Sequence, residues 1–260
     1  MSVSLCDTGY SVYMDLTPDK RFSRHLALEQ IGEAGQRKLA EAHILIIGLG
    51  GLGSPAALYL AAAGVGQLTF ADFDTVEISN LQRQIAHNTA RVGELKTSSA
   101  RIACQDINPQ CRINTLDHAM DEDDLASLVP ECTVVLDCSD NFATRFAVND
   151  ACVHHAVPLV SGAAIRFDAQ ISVYDSRQPD APCYRCLHSG SDTMTDTCAQ
   201  AGILGPVVGM VGCVQAIEAI KLVCGIGESL AGRLVLFDGL SMEWHEIQLK
   251  RNPECTVCQG

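Results

Sequence analysis

Gly48, Gly50 and Gly53 stand in the stretch IIGLGGLG as G-x-G-x-x-G, directly after a short apolar run. In such a turn the first two glycines let the chain bend and let its backbone approach phosphate, while the third lets the following helix pack on the strand. The helix N-terminus then presents its unpaired N–H groups to the phosphates. Asp72 follows about 20 residues on, where an acid binds ribose hydroxyls. Together with Gly51, these residues predict a nucleotide site. The competing reading is a glycine-rich turn that only packs close to a neighbour. No GxxxxGK[ST] is present, so the site is not a P-loop. The glycines and Asp72 alone do not separate NAD from ATP.

The stretch DFDTVEISNLQRQ, Asp72 to Gln84, and then Lys96 do discriminate. A dehydrogenase has no need for Asn80, Arg83 and Lys96 after its ribose acid, whereas an enzyme that splits a triphosphate does. Arg83 offers a planar fork to phosphate oxygens and Lys96 a point charge. Both neutralise the charge that builds as pyrophosphate leaves. Asp140 and Asn141 follow an apolar run in DCSDN, at the strand end where ligands of open α/β sheets bind, and Asp140 is placed to hold Mg²⁺. A solvated surface charge is the alternative for each residue taken singly; their shared sheet edge argues against it.

Thirteen cysteines is a high count for a chain with no secretory signature. Four fall into two CxxC pairs, Cys183 with Cys186 and Cys255 with Cys258. Two such knuckles suit a closed, structural four-thiolate zinc site that pins the C-terminal tail. A redox CxxC is the rival, but neither pair opens a helix in a thioredoxin-like βαβ context. Cys198, in DTCAQAG, stands alone in a polar loop. It reads either as a nucleophile or sulfur-relay thiol or as an incidental one. Cys138 and Cys213 have apolar neighbours and read as core. The histidines carry no ligand or triad spacing.

The elements that must position these residues alternate along the chain. Thr17-Pro18 predicts the start of a helix running to about Ala42, weakened near Gly32 and Gly35. Strands are expected at His43–Ile47, Gln67–Ala71, Cys111–Leu116, Thr133–Asp137 and Pro158–Ser161. Between them lie helices at Leu52–Ala63, Lys96–Ile107, Asp121–Leu128 and Phe142–His154. This is an α/β chain with a Rossmann-like, doubly wound, mostly parallel sheet. Added antiparallel strands are expected at Ala169–Tyr174 and Trp244–Leu249, around a loop at Pro179–Gly202 and a helix at Gly205–Val223. Residues 1–16 match no motif and are expected to be disordered, with residues 17–260 as a single domain.

Composition bounds the partners. The net charge of −13 argues against nucleic acid and anionic membranes, both of which need a cationic face. Residues 1–16 lack the basic and apolar regions of a signal peptide. The longest apolar stretch, Gly202 to Gly225, is interrupted by Gln215, Glu218 and Lys221, so it is not read as membrane-spanning. A cytoplasmic protein is expected.

GLGGLG, DFDTVEISNLQRQ, Lys96, DCSDN, CYRC and CTVC, in that order, resemble the ThiF/MoeB/HesA family, bacterial relatives of ubiquitin-activating enzymes. The resemblance covers residues 20–258. It implies adenylation by ATP of the C-terminal glycine of a small ubiquitin-like sulfur carrier ending in Gly-Gly, ready for thiocarboxylate formation. SGAAIRFDAQ and RNPECTVC point to the molybdopterin branch; GPVVGMVG and LVLFDG also fit the thiazole (thiamin) branch. By resemblance, Gly50 and its neighbours cradle phosphate, Asp72 holds ribose, Asn80, Arg83 and Lys96 contact the triphosphate, and Asp140 supports Mg²⁺. Arg24, in RFSRH, matches an arginine that reaches into the neighbouring subunit's site, implying a homodimer. Cys198 matches a loop cysteine whose role varies among members. With no sulfurtransferase segment after the second knuckle, the sulfur donor is expected to be a separate protein. Two rival readings are an NAD-linked oxidoreductase, which leaves Arg83 and Lys96 unexplained, and a non-catalytic binding module, which should have lost nucleotide contacts.

Overall fold

The computed structural model describes residues 20–188 and 201–258. Two short helices, α1 (Ser23–Leu26) and α2 (Gly32–Glu41), lead into β1 (His43–Ile47), α3 (Gly53–Ala63) and β2 (Gln67–Ala71). Then come α4 (Lys96–Ile107), β3 (Arg112–Leu116), α5 (Glu122–Leu128), β4 (Val134–Asp137), α6 (Phe142–His154) and β5 (Leu159–Ile165). The remaining described elements are β6 (Asp168–Tyr174), α7 (Tyr184–Leu187), α8 (Gly205–Cys224), β7 (Arg233–Asp238) and β8 (Glu243–Gln248).

The eight strands among the described residues form one sheet, in the order β3-β2-β1-β4-β5-β6-β7-β8. Strands β3 to β5 of that order run parallel, and β5 to β8 pair antiparallel. The central parallel strands are apolar on both faces because helices cover both. Ile44 and Ile46 of β1 join a core with Leu60 of α3, Ala100 of α4 and Ala219 of α8. Leu45 and Ile47 point the other way, to Leu125 of α5, Val148 of α6 and Tyr184 of α7. The period-2 alternation of one five-residue strand thus supplies both cores.

Among the described residues α8 alone is long and apolar enough to cross a membrane. It packs instead on α3, β5 and β6. Its backbone comes so close to α3 that a Cβ on Gly212 would stand 2.2 Å from the Leu52 carbonyl oxygen. Its buried Glu218 accepts from Leu230 N at 2.8 Å and from Lys221 Nζ at 2.6 Å.

The helix expected from Thr17 to about Ala42 is interrupted at the first of its two weak points, Gly32. Thr17 lies outside the described residues, and the rest breaks between α1 and α2. Gly32, at φ +51°, takes a left-handed conformation that a continuous right-handed helix excludes. Strand β7 was not anticipated, and β5 runs to Ile165 rather than Ser161 because its antiparallel partner β6 extends the ladder. The described part of the expected Pro179–Gly202 loop contains α7.

Candidate active site

A cavity of about 830 Å³ opens at the C-terminal ends of β1, β2 and β4 and continues across β5 to β7. The chain leaves β1 toward β2 on one side and meets β4 on the other, so the cavity lies at the topological switch point of the sheet.

The glycine loop forms its near wall, and its glycines divide by what surrounds them. Gly48 has φ +89°, and a Cβ there would stand 2.6 Å from the Cys138 carbonyl oxygen. A Cβ on Gly53 would stand 1.9 Å from the Gly48 carbonyl oxygen, so the start of α3 packs directly on the turn. A Cβ on Gly51 would meet Val208 at 2.7 Å. Gly50 lines the cavity with nothing nearer its Cβ position than Gln84 Nε2 at 3.7 Å.

Leu49, between these glycines, is held at both ends. Its N–H donates to Asp72 Oδ2 at 2.7 Å, and its carbonyl accepts from His87 Nε2 at 3.1 Å. A carbonyl only accepts, so His87 carries its proton on Nε2, and Nδ1 accepts from Ser99 Oγ at 2.9 Å. Burial lowers the His87 pKa; the bond to Leu49 opposes this, and Lys96 and Arg91 add to it. His87 is therefore neutral at pH 7. No motif in the sequence points to His87, because its contribution depends on contacts that no spacing reveals.

Asp72 stands where expected, at the end of β2 on the cavity wall. Its second oxygen accepts from Asp74 N at 2.9 Å. Burial raises its pKa, against the opposing pull of Lys96 and the two backbone donors. Lys96 is buried on the same wall and pairs with Asp74 Oδ2 at 2.7 Å. Asp74 had not been singled out by sequence. Arg83 lines the cavity and donates to Ser79 O at 3.0 Å.

The other expected residues occupy several settings. Asn80 is buried and is not among the cavity-lining residues; its Oδ1 accepts from Glu77 N at 3.2 Å and closes the turn that carries Arg83. Asn141 lines the cavity beside the exposed Asp140, but its Oδ1 caps α6 by accepting from Thr144 N at 2.9 Å. Arg24 is exposed on α1, away from this chain's cavity lining. Cys198 lies outside the described residues.

Beneath Asp140 runs a buried network that the sequence did not disclose. Asp137 Oδ1 accepts from Ser139 Oγ at 2.6 Å, and Oδ2 accepts from Ser161 Oγ at 2.8 Å. Arg145 donates to Ser139 O at 2.8 Å, with its Nε 3.9 Å from Asp137 Oδ2. Gln215 of α8 donates to Asp137 O at 2.8 Å and to Val160 O at 3.2 Å. Cys138 is buried as expected, and burial pushes its thiol well up, so it is no nucleophile at neutral pH.

The four knuckle cysteines converge. Their sulfurs all lie within 4.8 Å of one another. The separations are 3.9 Å for Cys183 to Cys186, 3.6 Å for Cys183 to Cys255 and 3.4 Å for Cys186 to Cys258. Tetrahedral zinc with Zn–S of about 2.3 Å requires S···S of about 3.8 Å, so this donor set fits. Burial pushes the Cys255 thiol up, but backbone donors at Cys258 and Val257 together with the Cys258 and Cys183 thiols bring it down to about 7. The cluster is tied to α6, the helix that starts at the cavity: Arg185 donates to both oxygens of Asp150 at 2.7 Å, and Tyr184 N to Asn149 Oδ1 at 2.7 Å.

Comparison with known proteins agrees with this geometry. The chain is 48% identical to the molybdopterin-synthase adenylyltransferase of Haemophilus influenzae, over 90% of its own length and 96% of that protein. It is 46% identical to the Escherichia coli enzyme of the same name, over 92% and 95%. It is also 46% identical to the adenylyltransferase and sulfurtransferase MOCS3 of Drosophila virilis, of which it spans 54%. The fold matches Escherichia coli MccB solved with AMPCPP and MccA, at TM-score 0.82 and 23% identity, covering 95% of this chain and 76% of that one. Residues 22–257 match the ThiF family, and the chain belongs to it.

Proposed function

We propose that this chain is an ATP-dependent adenylyltransferase. It activates the C-terminal glycine of a small ubiquitin-like sulfur carrier for thiocarboxylate formation in molybdopterin synthesis. The observation that carries this reading is near-full-length likeness to molybdopterin-synthase adenylyltransferases. It is supported by the glycine loop, Arg83, Lys96 and Asp72 lining one cavity.

In the proposed reaction a carboxylate oxygen of the carrier bonds to the α-phosphorus. The bond from that phosphorus to the β-bridging oxygen breaks, and pyrophosphate leaves. The attacking carboxylate is already ionised at neutral pH, so no general base is needed. Adenylation gives a poor electrophile a good leaving group. Arg83 and Lys96 neutralise the developing charge, and Asp140 is the proposed carboxylate for Mg²⁺, which would supply further charge neutralisation. Gly50 leaves its backbone open to phosphate, and Asp72 takes the ribose. The four cysteines hold structural zinc. Arg24 reaches into a second copy's site, so the working form is a homodimer, with sulfur from a separate donor protein. The proposed setting is the cytoplasm, where thiols stay reduced.

ATP–pyrophosphate exchange tests the reading, run without a carrier and with molybdopterin-type and thiamin-type carriers ending in Gly-Gly. Exchange that depends on the molybdopterin-type carrier is expected. Exchange with the thiamin-type alone would move the pathway, and exchange with neither would refute the proposal. Arg83→Ala and Asp140→Ala are expected to abolish exchange in folded protein.

A further inference from the structure

Gln84 ends the NLQRQ run, and the proposed reaction gives it no task. Its backbone is fixed, with N–H donating to Asn80 O at 3.0 Å and carbonyl accepting from His87 N at 3.1 Å. Its side chain is 4% exposed and lines the cavity beside Gly50. Its Oε1 is buried and has no hydrogen-bond partner. The other buried glutamines among the described residues differ. Gln36 donates to Ala63 O at 2.9 Å and meets His25 Nδ1 at 3.1 Å. Gln215 uses Nε2 on two carbonyls and Oε1 on the Cys138 thiol. A buried acceptor left unpaired is destabilising, and a ligand that donates to it removes that penalty on binding.

Phosphates and carboxylates only accept, so neither satisfies Oε1. We propose that Gln84 is a substrate-contacting residue whose Oε1 accepts a hydrogen bond from a donor on a bound substrate. Resting on the adenylyltransferase reading, two substrate groups have that chemistry: a ribose hydroxyl of the nucleotide and the amide N–H of the carrier's terminal glycine. Nε2, on the side of Gly50, donates to an anionic oxygen of the same substrate.

Gln84→Met keeps the length and volume of the side chain and removes both polar atoms. The full chain is compared with wild type by thermal unfolding without ligand and by calorimetric titration. The titrants are AMPCPP and then, with AMPCPP saturating, a ubiquitin-like carrier ending in Gly-Gly. The expected result is an unchanged or slightly higher Tm, because no internal hydrogen bond is lost. Affinity should fall about five- to tenfold, the size of one neutral hydrogen bond. A loss for AMPCPP identifies the ribose donor; a loss confined to the carrier identifies the amide N–H. Wild-type affinity for both overturns the inference, as does a lowered Tm with equal losses for both. Gln84→Asn, which keeps the amide on a shorter arm, gives the same reading if the methionine variant does not fold. Both arms measure binding alone, so absence of pyrophosphate exchange in wild type would remove the adenylyl-transfer reading without deciding this one.

Discussion

Alanine substituted at each fingerprint glycine should separate those that the fold needs from the one that the ligand needs. Gly48→Ala forces a side chain into φ +89°, a conformation that costs about 1–2 kcal/mol. It also sets a Cβ 2.6 Å from a backbone carbonyl with no flexible arm to yield. Together these should cost about 2–4 kcal/mol. Gly53→Ala gains about 1 kcal/mol of helix propensity. Its Cβ, however, would lie 1.9 Å from the Gly48 oxygen, and relieving that contact shifts the whole turn. A similar net loss of about 2–4 kcal/mol is expected. Gly50→Ala meets nothing within 3.7 Å and its φ is not positive. Its stability should stay within about 0.5 kcal/mol of wild type, while the added methyl blocks backbone approach to phosphate and weakens ATP binding about tenfold or more. Urea unfolding followed by circular dichroism and calorimetric ATP titration read the two effects. A Gly50→Ala chain that unfolds as early as Gly48→Ala, or that binds ATP like wild type, would refute the assignment of these glycines.

Three more outcomes are expected. Protein purified without chelator should carry one zinc per chain by elemental analysis; Cys255→Ser should lose it and lower Tm by on the order of 10 °C. His87 has its pKa lowered from 6.5 by burial. Between 6.5 and the folded value the unfolded chain binds a proton that the folded chain refuses, so stability falls as pH drops through that window. Tm should fall more steeply from about pH 7 to 5.5 in wild type than in His87→Asn, whereas equal slopes would count against a strictly neutral buried imidazole. If Arg24 completes a partner's site, inactive Arg24→Ala and Arg83→Ala chains, mixed and allowed to exchange protomers, should recover about one-quarter of wild-type exchange activity, since half the dimers then carry one intact site. No recovery would place Arg24 in its own subunit's site, and an active Arg24→Ala chain would place it outside the chemistry.

What could be read from sequence was what is local. The βαβ unit around Gly48, Gly50 and Gly53 announces itself because strand, turn and helix are consecutive. The cysteine knuckles announce themselves because each pair is built by one tight turn. Lys96 was legible as a cation but not as the partner of Asp74, 22 positions away. By motif Asn80 and Asn141 read as ligand contacts, and in this structure the Oδ1 of each also closes a local turn. Polar caps and polar ligand contacts use the same residue types, so sequence alone does not separate them. The Asp137, Arg145 and Gln215 network draws on β4, α6 and α8, and Gln215 reaches Asp137 across 78 residues. No window along the chain contains such a network. Strand β7 was missed because RLVLFD is partly covered from both faces and shows no clean alternation.

The strand order also has a consequence for synthesis. β1 pairs on one side with β2, which follows it closely, but on the other with β4, where Ile44 meets Val134. A ribosome adding 5–20 residues per second takes roughly 5–20 s to cover that interval. Through that time one edge of an apolar strand waits without its partner, and the switch-point crevice does not exist. ATP therefore has no site on the nascent N-terminal half. Any stabilisation by nucleotide acts only after β4 has docked, and until then the exposed β1 edge is open to pairing with another copy.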